Sequence, residues 1–440
     1  MTQRAAVTVV GAGWAGLSCA HFLMQSEARV SLLDAAPQPG GRARSAAIQL
    51  GGQSVRLDNG QHMLIGGYQQ SLELIDAASQ MPLLKRLPLQ FESPTMSISR
   101  RGPGRAGLLW GVMTGRGLTT AHRWAMARAG IAFARRRWTG FTGMTVTTLL
   151  TMTAQPPDLI DSLWRPLCVA ALNTEPAQAC AQTFVNVLHD ALFIDGASSD
   201  FLISQQPLGD LLPIPLLSQL RARGMTWLAS HRVQSLATNP DGGWQLRCRG
   251  QTISAATIVL ATPWHVTAGL LATVAPRAAT ALHHLKAEPI RTVYLAWPAS
   301  AKLQLPQMAM LTEKTDQGWH GQWLFDRGVQ NGLQLAAVVV SAAGPIAADN
   351  NSVAASVARQ ACAQTGLPPP SDQQCVNEKR ATFLCTPDRP VVTATQVAEH
   401  QLPRGLFLAG DYCLHRYPAT LEAATVSGRL AAEAVSEHLH

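Results

Sequence analysis

The stretch that decides the fold runs from Ala6 to Met24 and reads AVTVVGAGWAGLSCAHFLM. It predicts an apolar strand, a GxGxxG loop and an apolar helix, in that order. Gly11 permits the tight turn, Gly13 lets the backbone approach a pyrophosphate, and Gly16 lets the helix pack closely on the strand. The pyrophosphate would then lie at the positive end of the helix. The stretch therefore predicts a Rossmann-like site for an adenine dinucleotide.

Two further features follow the glycine loop. Asp34 closes the next β run, where a carboxylate can accept hydrogen bonds from ribose hydroxyls. The sequence Pro39–Arg42 comes next; its two glycines let the chain cross close to a cofactor, and its arginine can bind phosphate with two parallel hydrogen bonds. GxGxxG, an acid and then GGR together resemble the FAD-binding superfamily of amine oxidases, phytoene desaturases and protoporphyrinogen oxidase. That superfamily usually has Glu where this chain has the shorter Asp34.

The far end of the chain extends the resemblance. Gly405–Asp411 is a short apolar strand that ends in Gly-Asp, and Ala419–Arg429 is a helix rich in small residues. The resemblance implies that this strand lies near the ribityl chain and that the helix points its free N–H groups at the flavin. The cofactor is thus expected to be non-covalent FAD, and the residues expected to contact it are Gly11, Gly13, Trp14, Ala15, Gly16, Asp34, Gly40, Gly41, Arg42, Asn59, Gly60, Val233, Thr262, Gly410, Asp411, Thr420, Leu421 and Glu422.

The predicted fold class is α/β, with a Rossmann-like FAD-binding domain of the glutathione-reductase and amine oxidase type. Residues 1–90, 205–275 and 395–440 would form this discontinuous domain. Residues 91–204 and 276–394 would form an α+β substrate domain with helices and a mainly antiparallel sheet. The length of 440 residues and the 47% hydrophobic content allow such a large core.

Cysteine usage and hydropathy exclude several classes of protein. The eight cysteines include no CxxC pair, which argues against a metal or disulfide framework and favours the cytoplasm. We predict no signal peptide, because the first apolar run belongs to a strand. No apolar stretch approaches the roughly 18–20 residues that span a bilayer.

Positive charge is concentrated in one segment, residues 93–157, which contains nine arginines and no Asp, Glu or Lys. Trp124, Ile131 and Trp138 recur every seven residues in it and are predicted to share one face of a helix, flanked by Arg123, Arg128 and Arg135. The Arg/Trp segment 100–138 is typical of a surface that binds the anionic inner face of the cell membrane. The alternative is a solvated basic helix pair that covers the core. The chain has no recognisable nucleic-acid module, and we expect no nucleic-acid partner.

The chemistry is predicted to lie at Asp58–His62, DNGQH, since Asn-Gly is a turn signal. This run, with RYPATLEAA at Arg416–Ala424, resembles the hydroxysqualene dehydroxylase family over nearly the full length. The resemblance implies hydride transfer from reduced FAD to a C30 isoprenoid, hydroxysqualene, as its hydroxyl departs to give squalene. It also implies a separate electron donor that reduces the flavin. Asp58 and His62 are candidate acids, and Gln61 is a candidate for orienting the hydroxyl.

Two of these residues also have a structural interpretation: Asp58 as a turn cap and His62 as a hydrogen-bonding group inside the flavin site. Two other enzymes remain open at this point. A carotenoid or polyene desaturase would share the fold and move hydride from substrate to FAD. An amine oxidase fits less well, because the chain has only four tyrosines from which to build an aromatic cage. A non-catalytic FAD-binding scaffold is a further alternative.

Overall fold

A computed structural model describes residues 6–439 except 94, 103, 193, 195–196, 240–241 and 394–401. The domain boundary predicted at residue 395 lies outside the described residues. The strands are β1 Ala6–Val10, β2 Arg29–Leu33, β3 Ser45–Leu50, β4 Gln53–Asp58, β5 Leu64–Ile65, β6 Leu84–Leu87, β7 Gln90–Glu92, β8 Ser97–Ser99, β9 Phe201–Ser204, β10 Thr226–Leu228, β11 Val233–Thr238, β12 Trp244–Cys248, β13 Gln251–Ala255, β14 Thr257–Leu260, β15 Ala287–Pro298, β16 Met308–Met310, β17 Trp323–Gln330, β18 Leu333–Val340, β19 Asp372–Phe383 and β20 Leu406–Leu408.

The helices alternate with these strands in the first part of the chain and cluster in its middle. They are α1 Trp14–Gln25, α2 Gln69–Ala77, α3 Gly104–Thr114, α4 Thr120–Arg135, α5 Val146–Met152, α6 Pro157–Leu159, α7 Arg165–Leu172, α8 Ala181–Leu192, α9 Leu208–Leu211, α10 Pro213–Ala222, α11 Trp264–Leu271, α12 Pro276–His283, α13 Asn350–Thr365 and α14 Leu421–Leu439. One π-helical turn, Ile160–Trp164, joins α6 to α7.

A parallel sheet of five strands, in the order β10-β2-β1-β14-β20, gathers three distant pieces of the chain. In its register Val10 lies opposite both Leu33 and Leu260. These strands are apolar runs rich in Val, Ile and Leu, as expected where both faces of a parallel sheet are covered. The predicted α/β class with a Rossmann-like sheet is confirmed.

The first and last helices pack unusually closely on one face of this sheet. A Cβ on Gly428 of α14 would lie 2.2 Å from the carbonyl oxygen of Ala15 in α1. The Ser18 hydroxyl donates to the Thr425 carbonyl oxygen at 2.8 Å. The small residues of α14 therefore let it approach the helix that follows the glycine loop.

The second large sheet is antiparallel, as predicted for the substrate domain, with the order β16-β17-β18-β15-β19. One of its faces packs on α13 through Val293, Leu324 and Val338. The other face packs in part on the β3–β4 hairpin, where Tyr294 meets Leu57. That hairpin ends at Asp58, so the sheet lies beside the predicted reactive turn.

The structure corrects the predicted face of the basic segment. Helix α4 ends at Arg135, and Trp138 lies beyond it with a φ of 62°, packed against Phe133 and His189. Trp124 and Ile131 do share an exposed face. Arg123 was predicted to flank that face, but it donates instead to backbone carbonyls of Val112, Gly115 and Leu118. Sequence spacing misplaced Trp138 because it did not show where the helix stops. It missed the contacts of Arg123 because their acceptors lie in α3 and in the loop after it, outside the helix that the spacing describes.

None of the described helices combines the length and the apolar character needed to cross a bilayer.

Candidate functional site

The glycine loop leaves open space in front of α1. A Cβ on Gly16 would lie 1.8 Å from the carbonyl oxygen of Gly11, so helix and loop touch there. A Cβ on Gly13 would meet nothing within 4 Å. Gly13 is also the N-cap residue of α1, and because glycine has no side chain it leaves the amide groups of the first turn without a side-chain cap. The amide groups of the first turn, including those of Trp14 and Ala15, therefore face a gap that suits a phosphate.

Asp34 lies at the edge of this loop. Its carboxylate accepts from the amide of Ala12 at 2.6 Å and from that of Ala36 at 2.7 Å. The Asp34 carbonyl accepts from the amide of His231 at 2.7 Å, two residues before Val233. The structure thus brings together the two residues predicted to hold the adenosine end of the cofactor.

Gly40 and Gly41 adopt φ values of 117° and 58° and cross directly over the loop. A Cβ on Gly41 would lie 3.3 Å from Cα of Gly13. The Arg42 guanidinium that follows donates to Asp411 at 2.7 Å and to the Ala381 carbonyl at 2.8 Å. Arg42 therefore links the GGR segment to the Gly-Asp segment at the end of the last strand. The sequence predicted only a phosphate contact for this arginine and did not indicate the link.

Thr262 lies just after β14, at the carboxyl edge of the parallel sheet. The Tyr412 hydroxyl donates to the Thr262 carbonyl at 3.2 Å and lies 2.9 Å from the Thr267 hydroxyl. The neighbouring Gly410 amide donates to the Ser427 hydroxyl at 2.8 Å. These bonds fix the Gly-Asp segment against α14 and against the chain that follows β14.

The start of α14 holds the last of the residues predicted to contact the cofactor. Thr420 caps the helix by accepting from the Ala423 amide at 3.1 Å, next to Leu421. The carboxylate of Glu422 accepts from the amides of Gln70 and Ser71, both at 2.9 Å. The predicted contact of the free N–H groups of α14 with the cofactor stays a prediction, and the Glu422 carboxylate caps α2. The local sequence could not show this, because α2 lies about 350 residues away.

Asp58 is buried, and its carboxylate is engaged by other parts of the protein. One oxygen accepts from the Leu208 amide at 2.6 Å, and the other lies 3.6 Å from the buried Arg327 guanidinium. The Asp58 carbonyl accepts from the Tyr294 hydroxyl at 2.8 Å. Burial raises the pKa of Asp58 to about 6, although Arg327 and the Leu208 amide act against this rise. These contacts favour its structural interpretation.

The rest of the turn presents polar groups next to the antiparallel sheet. The Gln61 amide donates to the Thr292 hydroxyl at 3.2 Å, and its side-chain NH2 donates to the His62 carbonyl at 2.9 Å. Asn59 donates to Glu378 at 2.7 Å, and Gly60 lies between Thr292 and the His62 ring. The sequence did not single out Thr292 and Glu378, although each is a polar residue on a strand that borders the turn.

The electrostatics of the turn are set by burial and by one cation. Burial, with the charge of Arg42, lowers the pKa of His62 to about 4, so its imidazole is neutral at pH 7. Arg42 also lies 5.8 Å from the centre of the Trp264 ring. The turn, the GGR segment and the last strand therefore meet at one site.

Three buried polar atoms at this site have no hydrogen-bond partner within the described parts of the chain: Trp14 Nε1, Gln61 Oε1 and Asp411 Oδ1. Buried polar groups are normally paired, so these atoms indicate that a further polar molecule belongs here. Together with the gap at Gly13 they fit FAD, which the glycine loop, Asp34, the GGR segment and the amino end of α14 would hold.

Comparison with known proteins supports this assignment. Residues 9–78 match the NAD(P)-binding Rossmann-like domain, and residues 211–436 match the flavin containing amine oxidoreductase family. The chain is similar to proteins named hydroxysqualene dehydroxylase from Sinorhizobium fredii, Rhodopseudomonas palustris and Zymomonas mobilis, at 26%, 27% and 25% identity. Each alignment covers 98% of this chain and 98–99% of the relative.

Solved structures agree on the fold. Cyclohexylamine oxidase from Brevibacterium oxydans superposes with a TM-score of 0.71 at 14% identity, covering 99% of this chain and 100% of its own. A putrescine oxidase gives 0.69 at 13% identity, covering 99% of both chains. Because the amine oxidoreductase match spans more than half of the sequence and the site fits the cofactor, this chain is an FAD-dependent oxidoreductase that belongs to the flavin-containing amine oxidoreductase family.

Proposed function

We propose that this enzyme removes the hydroxyl group of hydroxysqualene reductively and releases squalene and water, the overall reaction consuming one hydride and one proton. The observation that carries the proposal is the end-to-end similarity to three proteins named for that activity. Bound FAD, once reduced by an external donor, would supply the hydride. The protein's own residues must bind the hydroxyl, exclude water and assist the departing oxygen.

Gln61 and His62 are suited to the hydroxyl. The unpartnered Gln61 Oε1 can accept its O–H, because the NH2 of the same side chain is already fixed on the His62 carbonyl. A Cβ added to Gly60 would lie 4.0 Å from His62 Nε2 and 3.8 Å from the Thr292 hydroxyl oxygen. The ring nitrogen therefore faces the same space as that hydroxyl. We assign the departing oxygen to these two side chains. Asp58 we assign a positioning role, since it binds α9 and Arg327 and so holds the start of the turn.

The function is tested by photoreducing the FAD-loaded protein without oxygen and adding one candidate at a time. We expect hydroxysqualene to reoxidise the flavin and to yield squalene, and phytoene and amines to have no effect on either flavin state. Squalene and phytoene are also added to the oxidised enzyme. A polyene desaturase would take hydride from one of them and reduce its flavin, which distinguishes this alternative from the proposed reaction. Reoxidation by none of the compounds, or flavin reduction by phytoene or an amine, would refute the proposed reaction.

We also propose that helices α3 and α4 form a membrane-contact surface on the cytoplasmic side. Five large apolar side chains on these two helices are each more than half exposed: Leu109, Trp110, Met113, Trp124 and Ile131. Four arginines of the same segment are exposed as well: Arg116, Arg135, Arg136 and Arg137. Apolar side chains rimmed by arginine complement an anionic lipid surface. A membrane is also where a C30 hydrocarbon accumulates.

This surface can be removed without disturbing the core. A variant with Leu109→Ser, Trp110→Ser and Trp124→Ser should lose co-sedimentation with vesicles of mixed phosphatidylglycerol and phosphatidylcholine, by about tenfold or more. Val329→Ser is the matched control, because Val329 is 62% exposed on another part of the protein. Wild-type binding should weaken with added salt and with neutral vesicles. Equal sedimentation of the triple variant and the control would contradict the assignment.

A further inference from the structure

The loop of residues 414–417 connects the Gly-Asp segment to α14 and is held by hydrogen bonds along its whole length. It begins shortly after Asp411 and ends shortly before Thr420, the capping residue of α14. All four of its backbone carbonyls accept a hydrogen bond from a side chain outside the loop. The loop therefore joins two elements that are expected to contact FAD, and other parts of the protein fix it.

A buried arginine binds three of these carbonyls. The Arg389 guanidinium donates to the carbonyl oxygens of Leu414 at 2.8 Å, His415 at 3.2 Å and Tyr417 at 3.0 Å. The same guanidinium lies 4.6 Å from the centre of the Phe383 ring at the end of β19. Arg389 thus ties the backbone of the loop to the chain that follows the antiparallel sheet.

Helix α8 supplies the remaining contacts. Asn186 and Asp190 are four residues apart on α8, so their side chains lie on one face of the helix. The Asn186 side chain donates to the Arg416 carbonyl at 3.0 Å. The Arg416 guanidinium donates to the two carboxylate oxygens of Asp190 at 2.7 and 2.9 Å, and the Tyr417 hydroxyl donates to the same carboxylate at 2.9 Å. Asp190 therefore binds two consecutive side chains of the loop.

The charge of Asp190 makes these bonds strong. Its side chain is buried, and Nδ1 of His189 lies 2.8 Å from one carboxylate oxygen. Burial acts to raise the pKa of Asp190, but hydrogen bonds from His189 and Arg416 outweigh it and lower this pKa below its ordinary value. The carboxylate is thus ionised at pH 7, and hydrogen bonds to an ionised acceptor are about twice as strong as neutral ones.

The loop restricts where α14 begins. Only Pro418 and Ala419 separate Tyr417 from Thr420, and the proline ring fixes its own φ. A displacement of Tyr417 would therefore be passed on to the first turn of α14, whose free N–H groups are predicted to face FAD.

We propose that Asp190 is a positioning residue of the cofactor site, which binds Arg416 and Tyr417 and thereby sets the position of the amino end of α14 relative to FAD. The inference rests on the FAD assignment and is independent of the substrate. The positive end of a helix stabilises negative charge, and a flavin gains negative charge on reduction. Loss of the contact should therefore weaken the binding of reduced FAD more than that of oxidised FAD.

The test replaces the charge of Asp190 and keeps the shape of its side chain. Asp190→Asn should weaken the binding of oxidised FAD to the apoprotein about tenfold. It should also lower the midpoint potential of the bound flavin by about 30 mV, which corresponds to a further tenfold loss for the reduced form. Titration followed by flavin fluorescence measures the affinity, and equilibration with redox dyes measures the potential.

Asp200→Asn is the matched control. The Asp200 side chain is 8% exposed, against 9% for Asp190, and it also binds arginine, through Arg86 and Arg100. None of these partners belongs to the 414–417 loop. Asp200→Asn should therefore leave the FAD affinity and the flavin potential at their wild-type values.

A double variant tests whether Asp190 acts through Arg416. Arg416→Ala should reproduce both changes, and the double variant should lose no more than about twofold beyond the larger single loss. Additive losses, equal losses in Asp200→Asn, or wild-type affinity and potential in Asp190→Asn would each overturn the inference. Wild-type apoprotein that binds no FAD would refute the cofactor assignment itself. If Asp190→Asn does not fold, Arg416→Ala decides the question, because the Arg416 side chain is half exposed.

Discussion

Replacing Gly13 with alanine should leave the protein folded and weaken its binding of FAD about 100-fold, or about 2.7 kcal/mol. The backbone of Gly13 has φ −75° and ψ −176°, which alanine adopts freely. The new methyl group meets no protein atom within 4 Å. It would instead occupy the gap in front of α1, where the pyrophosphate belongs. Titration of the apoprotein with FAD, followed by flavin fluorescence, measures the loss.

Gly269→Ala is the matched control for this substitution. Gly269 lies within α11, and a Cβ there also meets nothing within 4 Å. Both variants should melt within a few degrees of the wild-type apoprotein, and only Gly13→Ala should lose the cofactor. Equal FAD affinity in the two variants would mean that the pyrophosphate lies elsewhere.

The second large effect concerns the reactive turn. His62→Gln should slow the single-turnover oxidation of reduced enzyme by hydroxysqualene about 100-fold, since an assisting acid or hydrogen-bond donor contributes on that scale. Asp58→Asn should retain the rate within about threefold and instead lower the free energy of unfolding by about 3 kcal/mol, because it leaves the Arg327 charge buried without its counterion. Stopped-flow spectroscopy and denaturant titration separate the two readouts. A slow Asp58→Asn variant beside a His62→Gln variant that keeps the wild-type rate would make Asp58 the catalytic residue.

The pH dependence distinguishes the same two groups. The pKa of His62 is lowered to about 4, so its protonated fraction grows as pH falls from 7 to 5 without levelling off. The pKa of Asp58 is raised to about 6, so a rate that depended on its proton would level off below pH 6. We expect the single-turnover rate to continue rising below pH 6 and this rise to vanish in His62→Gln. A rate that is half-maximal near pH 6 and levels off below that pH would indicate Asp58.

Local sequence was sufficient wherever a residue acts through its own backbone. Gly11, Gly13 and Gly16 have the roles in turn, gap and close packing that their spacing predicts, because steric limits on φ, ψ and Cβ operate within a few residues. Asp34 lies at the loop for a similar reason, since β1 and β2 are neighbours in the sheet. The Rossmann-like fold could therefore be predicted from the sequence.

Side chains with distant partners could not be assigned in this way. The carboxylate of Glu422 caps α2, which the sequence did not indicate, and Arg42 binds Asp411 across 369 positions of sequence. Trp138 follows the seven-residue spacing of Trp124 but lies past the end of the helix. In each case the outcome depends on which elements pack together, and periodicity carries no information about that.

By itself, then, the sequence determined the glycine loop, the α/β class, the FAD cofactor and the resemblance on which the substrate proposal depends. Only the tertiary structure decided that Asp58 is enclosed by α9 and Arg327 and that Gln61 has an oxygen free for a ligand. The physical reason is that backbone conformation is governed by neighbours in the chain. The burial, charge and hydrogen bonding of a side chain are governed by neighbours in space.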